Sequence, residues 1–101
     1  MNHQQLLVLI VADELQDDIV DSLILLEDIS GFTLSTIEGY SREHSQFNLR
    51  ELVEGHRKMS RFEILHGSEQ ETEILAALAA ACGDTQARYW ITPTRSGHLG
   101  N

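Results

Sequence analysis

The chain reads as a single α+β domain of the ferredoxin-like type, a β-α-β-β-α-β sandwich with a four-stranded antiparallel sheet and two helices on one face. Three observations predict it. Residues 1–101 contain two copies of one grammar, strand, capped helix, glycine stop, strand. The apolar residues follow a period of two in the strand segments and 3.6 in the helical ones. Right-handed crossovers in both halves then close one sheet with both helices on the same side.

Gln5–Ala12 (QLLVLIVA) is a continuous run of branched apolar residues, the pattern of a central strand buried on both faces. Asp13 with Gln16 three residues on has capping-box spacing, opening a helix whose stripe is Leu15, Ile19, Leu23 and Leu26. Asp17, Asp18 and Asp21 fall on its other face, and Asp13, Glu14, Asp17 and Asp18 meet the positive helix end. Ser30-Gly31 is expected to stop this helix, with Gly31 as a left-handed cap. Phe32–Tyr40 (FTLSTIEGY) alternates as a second strand. Met59–His66 (MSRFEILH) is a third, with Phe62, Ile64 and His66 on one face. Ser68-Glu69-Gln70-Glu71 reads as a second capping box, followed by a helix over Glu69–Cys82 with Ile74, Leu75 and Leu78 on its buried stripe. Its alanines are expected to let it approach the sheet closely. Gly83 stops it, Thr85–Thr92 forms the fourth strand, and Pro93 ends that strand. Residues 94–101 are a polar tail with no core-forming pattern.

The connection Ser41–Lys58 interrupts this grammar. Residues 1–41 carry eight acidic side chains and no Lys or Arg, whereas four of the seven basic residues, Arg42, Arg50, Arg57 and Lys58, lie in the connection. A long connection in a small domain points to function or disorder. Within it Asn48 and Glu51 have capping-box spacing and Gly55 a stop, so a short helix over Leu49–Glu54 is expected, with Leu49, Leu52 and Val53 covering a neighbouring surface or docking a partner.

A net charge of −9 repels phosphate backbones and anionic membranes, so neither nucleic-acid binding nor membrane insertion is expected. The longest apolar run, seven residues, is too short to span a bilayer, and no signal-peptide pattern opens the sequence, which makes the cytoplasm the expected location. The single cysteine, Cys82, excludes an internal disulfide and a paired-thiolate metal site, and reads as a small buried residue at a helix end. No nucleophile–base pairing stands out, so no enzymatic activity is expected. The acidic cluster around Asp17 reads as a solvated helix face rather than a hard-cation site. The five histidines have no HxH or HxxxH spacing. A metal site would have to gather His44, His56 and His98 from separate regions, in an oligomer.

The segment Thr36-Ile37-Glu38-Gly39-Tyr40-Ser41-Arg42-Glu43-His44 resembles the point in the PII signal-transduction superfamily where strand two enters the long T-loop. Phe62–Cys82 is similar to the third strand and second helix of that family, and Arg95-Ser96-Gly97-His98 to the Arg-Thr-Gly-Glu of its C-terminal loop. The resemblance implies a homotrimer with ligand-binding clefts between subunits and a partner-binding loop at residues 41–58. It places Arg42 and Glu43 at the base of that loop beside the cleft. Arg57 and Arg95 are then candidates to hold an anion with them. Two departures narrow it. Only Gly83-Asp84 joins helix two to strand four, where PII proteins have a Gly- and Lys-rich phosphate loop, and no tyrosine lies between Ser41 and Lys58. Nucleotide binding, tyrosine modification and nitrogen signalling therefore do not transfer, and no cofactor is assigned. Some divergent PII-like proteins accompany heavy-metal efflux systems, and divalent-cation tolerance proteins share the trimeric fold. This is the ground for the alternative, a metal-binding or metal-tolerance protein.

Overall fold

The computed structural model describes residues 3–40 and 57–100. Strands β1 (Gln4–Ala12), β2 (Phe32–Gly39), β3 (Arg57–Gly67) and β4 (Arg88–Pro93) form one antiparallel sheet in the order β2-β3-β1-β4. Helix α1 (Gln16–Ile24) joins β1 to β2, and helix α2 (Glu71–Cys82) joins β3 to β4. This is the ferredoxin-like arrangement. Arg42, Glu43, His44 and His56, with the helix expected over Leu49–Glu54, lie outside the described residues.

Both helices cover the same side of the sheet. Leu7, Leu9 and Val11 of β1 and Phe62 and Ile64 of β3 pack with Ile19 and Leu23 of α1 and Ile74 and Leu78 of α2. The register explains the set, because Leu9 lies opposite Phe62 and Leu7 opposite Ile64, and directly opposed residues share a face. Phe32 closes the core on the β2 side, its ring 6.0 Å from that of Phe62 at 46°. His66 belongs to this face, as the alternation requires, and is buried.

The helix ends differ from their sequence signals. Asp13 does not cap: residues Asp13–Leu15 form a 3-10 turn, α1 starts at Gln16, and no side-chain capping bond is present. Gln16 instead accepts a hydrogen bond of 2.8 Å from the hydroxyl of Ser60, which is fully buried. The spacing that suggested a capping box thus serves a tertiary contact. Helix α1 also stops at Ile24, earlier than expected, where Leu26 N–H reaches back only three residues to Leu23 at 3.1 Å. Gly31 is not in the left-handed region; among the described residues only Gly83 and Gly100 have positive φ.

The second helix also opens with a 3-10 turn, Ser68–Gln70, so Ser68 sits inside the turn rather than at its cap. The Gln70 side chain supplies the capping bond, its oxygen accepting from Gly67 N–H at 2.9 Å, and its amide nitrogen donates to the Asp28 carbonyl. One glutamine therefore ties the start of the second helix to the segment that follows the first. Ala76, Ala79 and Ala80 are exposed, so these alanines favour the helix through propensity and not through close approach to the sheet. Gly83 stops α2 at φ 59°, as expected, and β4 starts at Arg88 rather than Thr85 because Thr85 N–H bonds back to Cys82 at 3.0 Å. Among the described residues no helix is long and apolar enough to cross a membrane.

Candidate functional site

The sheet side opposite the helices has no layer over it among the described residues. Its composition follows from register. On β1 it presents Leu6, Val8, Ile10 and Ala12, the alternate residues of the apolar run. Ile10 is opposite Arg61 on β3 and opposite Arg88 on β4, so two arginines flank one isoleucine across three adjacent strands. Val8, in the next row, lies between Glu63 and Trp90. Met59 is opposite Ile37 of β2 and Ala12 of β1.

These side chains form an open groove of 760 Å³ lined by Ile10, Ile37, Met59, Arg61, Arg88 and Trp90, with Tyr40 and Tyr89 at its margins. The Arg61 guanidinium stands 5.9 Å from the centre of the Trp90 ring, a cation–π distance. It also pairs with Glu63 at 3.5 Å, and Glu63 accepts a bond from the Thr33 hydroxyl at 3.4 Å. Trp90 remains 39% exposed, a large apolar ring facing solvent beside two cationic groups in a chain of net charge −9. The groove therefore concentrates positive charge and apolar surface in one place.

The residues singled out from sequence are placed as follows. Arg57 opens β3 opposite Gly39, and its guanidinium bonds Glu14 at 3.2 Å, tying the end of the 41–56 connection to the turn before α1. Arg95 and His98 are exposed in the extended stretch after β4. That stretch is fastened beside the start of β1, with Thr94 N–H bonded to the Gln4 carbonyl at 3.0 Å and the Ser96 hydroxyl to the Gln4 side chain at 3.4 Å. Arg57 lies near the other end of β1, and at about 3.3 Å per residue the two ends of that strand are roughly 25 Å apart. One chain alone does not bring Arg57 and Arg95 together. Among the described residues no three His, Cys, Asp or Glu side chains converge as a metal site.

Arg61, Arg88 and Trp90 carry the groove, and sequence reading did not single them out. The groove neighbours of Trp90 on other strands are distant in sequence, Arg61 by 29 residues and Ile10 by 80. The available signal was parity: Arg61 and Trp90 occupy the strand positions that alternate with core residues, and Ile10 sits on the second face of a run apolar on both.

On the helix side a smaller apolar cavity of 380 Å³ lies between α2 and β4, lined by Leu75, Leu78, Cys82 and Tyr89 among others. Cys82 is half-buried at the end of α2, and burial pushes its thiol pKa up. A different polar feature lies at the start of β1. His66 Nδ1 lies 2.8 Å from the Gly67 carbonyl, which accepts a hydrogen bond from it. Its Nε2 and the Oε1 of Gln5, the residue opposite on β1, are buried with no hydrogen-bond partner among the described residues.

The fold and the groove define a small α+β domain of ferredoxin-like topology whose open sheet face carries a cationic, aromatic depression. The chain belongs to the family described as "Protein of unknown function (DUF3240)", which it matches over residues 1–100. It is 44% identical to a DUF3240 family protein from Shewanella baltica OS155 whose crystal structure was determined at 2.40 Å resolution. The similarity covers 99% of this chain and 100% of that one, with a TM-score of 0.82. No curated protein matches the chain.

Proposed function

We propose that this chain is a PII-like regulatory protein that assembles as a homotrimer, binds a small ligand at the clefts between subunits and signals to a protein partner through residues 41–58. The observation that carries the reading is the uncovered sheet face. Leu6, Ile10, Ile37, Met59 and Trp90 lie there on a surface with no layer over it among the described residues. A surface of that kind marks an interaction site. The β-α-β-β-α-β order with its long connection between β2 and β3 supports the same reading, and so does the separation of Arg57 from Arg95. Arg42, Glu43, Arg57 and Arg95 form one cleft only if the last comes from a neighbouring subunit.

The function is binding rather than catalysis. Ligand at the cleft favours one arrangement of the connection over others, and the partner reads that preference; the ligand shifts the equilibrium only by its difference in affinity between the two states. Light scattering tests the assembly: a trimer is expected at micromolar concentration, and a monomer there removes the inter-subunit cleft. Calorimetry with ATP and ADP tests the cleft as an anion site. Heat that is absent, or that survives Arg42→Ala unchanged, counts against it.

A further inference from the structure

We propose that the cavity between α2 and β4 binds a small uncharged aromatic molecule, its ring buried against Leu9, Leu78 and Cys82 and its polar group turned to the mouth at Thr85 and Tyr89. The cavity lies on the helix side of the sheet. Assembly through the opposite sheet face leaves it open, and the inference stands apart from the clefts proposed above.

The space follows from residue size. Leu75, Leu78, Ala79 and Cys82 are spaced three and four residues apart, so they share one stripe of α2, and this stripe is one wall. Thr85, Ala87 and Tyr89 alternate along the chain into β4 and form the other. Leu9, opposite Tyr89 in the register, is the floor. Gly83 ends α2 at φ 59° and turns the chain from the first wall into the second. Ala79 on one wall and Ala87 on the other leave a volume of 380 Å³ that larger side chains would fill. That is about a dozen times the roughly 30 Å³ a water takes up in the liquid. One ring or two fused rings fit such a space, and a nucleotide does not.

The lining sets the charge. None of its nine residues is Asp, Glu, Lys, Arg or His, in a chain with 16 acidic and 7 basic side chains. An ion entering the cavity loses water and finds no opposite charge, so a neutral molecule is selected. Leu9 and Leu78 are each 3% exposed, whereas Tyr89 is 51% exposed and Thr85 is also exposed. The two hydroxyl-bearing residues are thus the outer ones. They can pair with a hydroxyl or N–H of the ligand while the apolar floor takes its ring. The Tyr89 ring favours an aromatic neighbour beyond the area that contact buries. Cys82 behaves as a small hydrophobe in the wall, and burial pushes its thiol pKa up, which keeps it neutral.

Calorimetry on the full chain with indole and phenol tests the site, with benzoate and benzylamine as charged rings and cyclohexanol as an uncharged ring that is not aromatic. Saturable binding of indole and phenol below about 1 mM is expected. The two ions should not bind, and cyclohexanol should bind more weakly than phenol by about threefold. Cys82 is the single cysteine and lies in the wall. Indole at ten times its Kd should therefore slow alkylation of Cys82 by iodoacetamide roughly tenfold, as mass action requires. Ala79→Leu and Ala87→Leu put side chains into the space. Each should abolish indole binding while leaving the thermal midpoint unchanged or raised, as cavity filling does, a pairing that a damaged fold does not give. Ala80→Leu, exposed on α2 but outside the lining, should bind like the wild type. Benzoate or benzylamine binding as tightly as phenol overturns the proposal, and so does cyclohexanol doing so. Filled variants that still bind indole overturn it as well. If no probe binds and Ala87→Leu changes the light-scattering mass, the cavity seats a side chain of a second copy and the proposal falls. It falls equally if no probe binds and the mass is unchanged. None of these outcomes touches Arg42-dependent binding of ATP or ADP, so the two readings fail separately.

Discussion

Gln5 and His66 face each other across β1 and β3 on the helix side of the sheet, and each buries one polar atom that has no partner among the described residues. Removing such an atom stabilises where a shape-matched apolar group replaces it. Gln5→Leu is expected to raise stability by about 1 kcal/mol, seen as a higher urea midpoint at unchanged slope. Cys82 makes a different case. Its burial disfavours the thiolate, so the folded thiol keeps its proton at a pH where the unfolded thiol has lost it. The contribution is fully present below the ordinary thiol range and is lost as pH rises through the raised folded value. Chemical unfolding followed from neutral to alkaline pH should show stability falling in that window, and Cys82→Ala should flatten the fall. A slope identical in the two proteins would mean that the thiol is not its source. Cys82 was legible as a small residue at a helix end. The pairing of Gln5 with His66 was not, because it depends on which residues of two distant strands stand opposite each other.

At the scale of elements, the sequence marks a boundary region well and its mechanism poorly. Gly83 behaves as its position predicts: φ 59° and ψ −126° form a backbone conformation that side-chain-bearing residues avoid. Gly83→Ala should cost about 1–3 kcal/mol, visible as a lower thermal midpoint even though a Cβ at that position meets nothing within 4 Å. The two capping-box signals were read correctly as helix starts, but their glutamines are used differently. Gln16 turns to Ser60 across the sheet–helix interface, and Gln70 reaches Gly67 on one side and Asp28 on the other. A spacing of three residues shows that a side chain can return to its own backbone. It does not show that a buried hydroxyl elsewhere will compete for it and win. Helix α1 ended early for a related reason, since its apolar stripe continues through Leu26, which packs on the core from beyond the helix.

Among the described residues one sheet face is covered by the helices and the other is not. The run QLLVLIVA already required burial on both sides, yet only the helix side is provided for within the described chain. Ile37 sits on the uncovered side near the groove. If the chain assembles as the proposed trimer, Ile37→Asp should leave the far-ultraviolet circular dichroism unchanged while shifting the light-scattering mass from trimer to monomer. A variant that stays assembled would place the subunit contact elsewhere. The net charge of −9 bears on this expectation, because copies of the proposed trimer would repel one another at low salt and would be held by apolar contact when salt screens the repulsion.

The order of elements, the β-α-β-β-α-β fold and the side of each strand that carries the core were determined by the sequence alone. They follow from local rules: apolar period, capping residues, a glycine that tolerates positive φ, and the handedness of crossovers. The tertiary structure alone decided the groove. Arg61, Ile10, Arg88 and Trp90 come from three strands and become neighbours only through register, which is set by the packing of the opposite face. A one-residue slip of any one of these strands would turn its own contribution towards the helices and break the groove. Chemistry that depends on juxtaposition across strands has no signature along the chain.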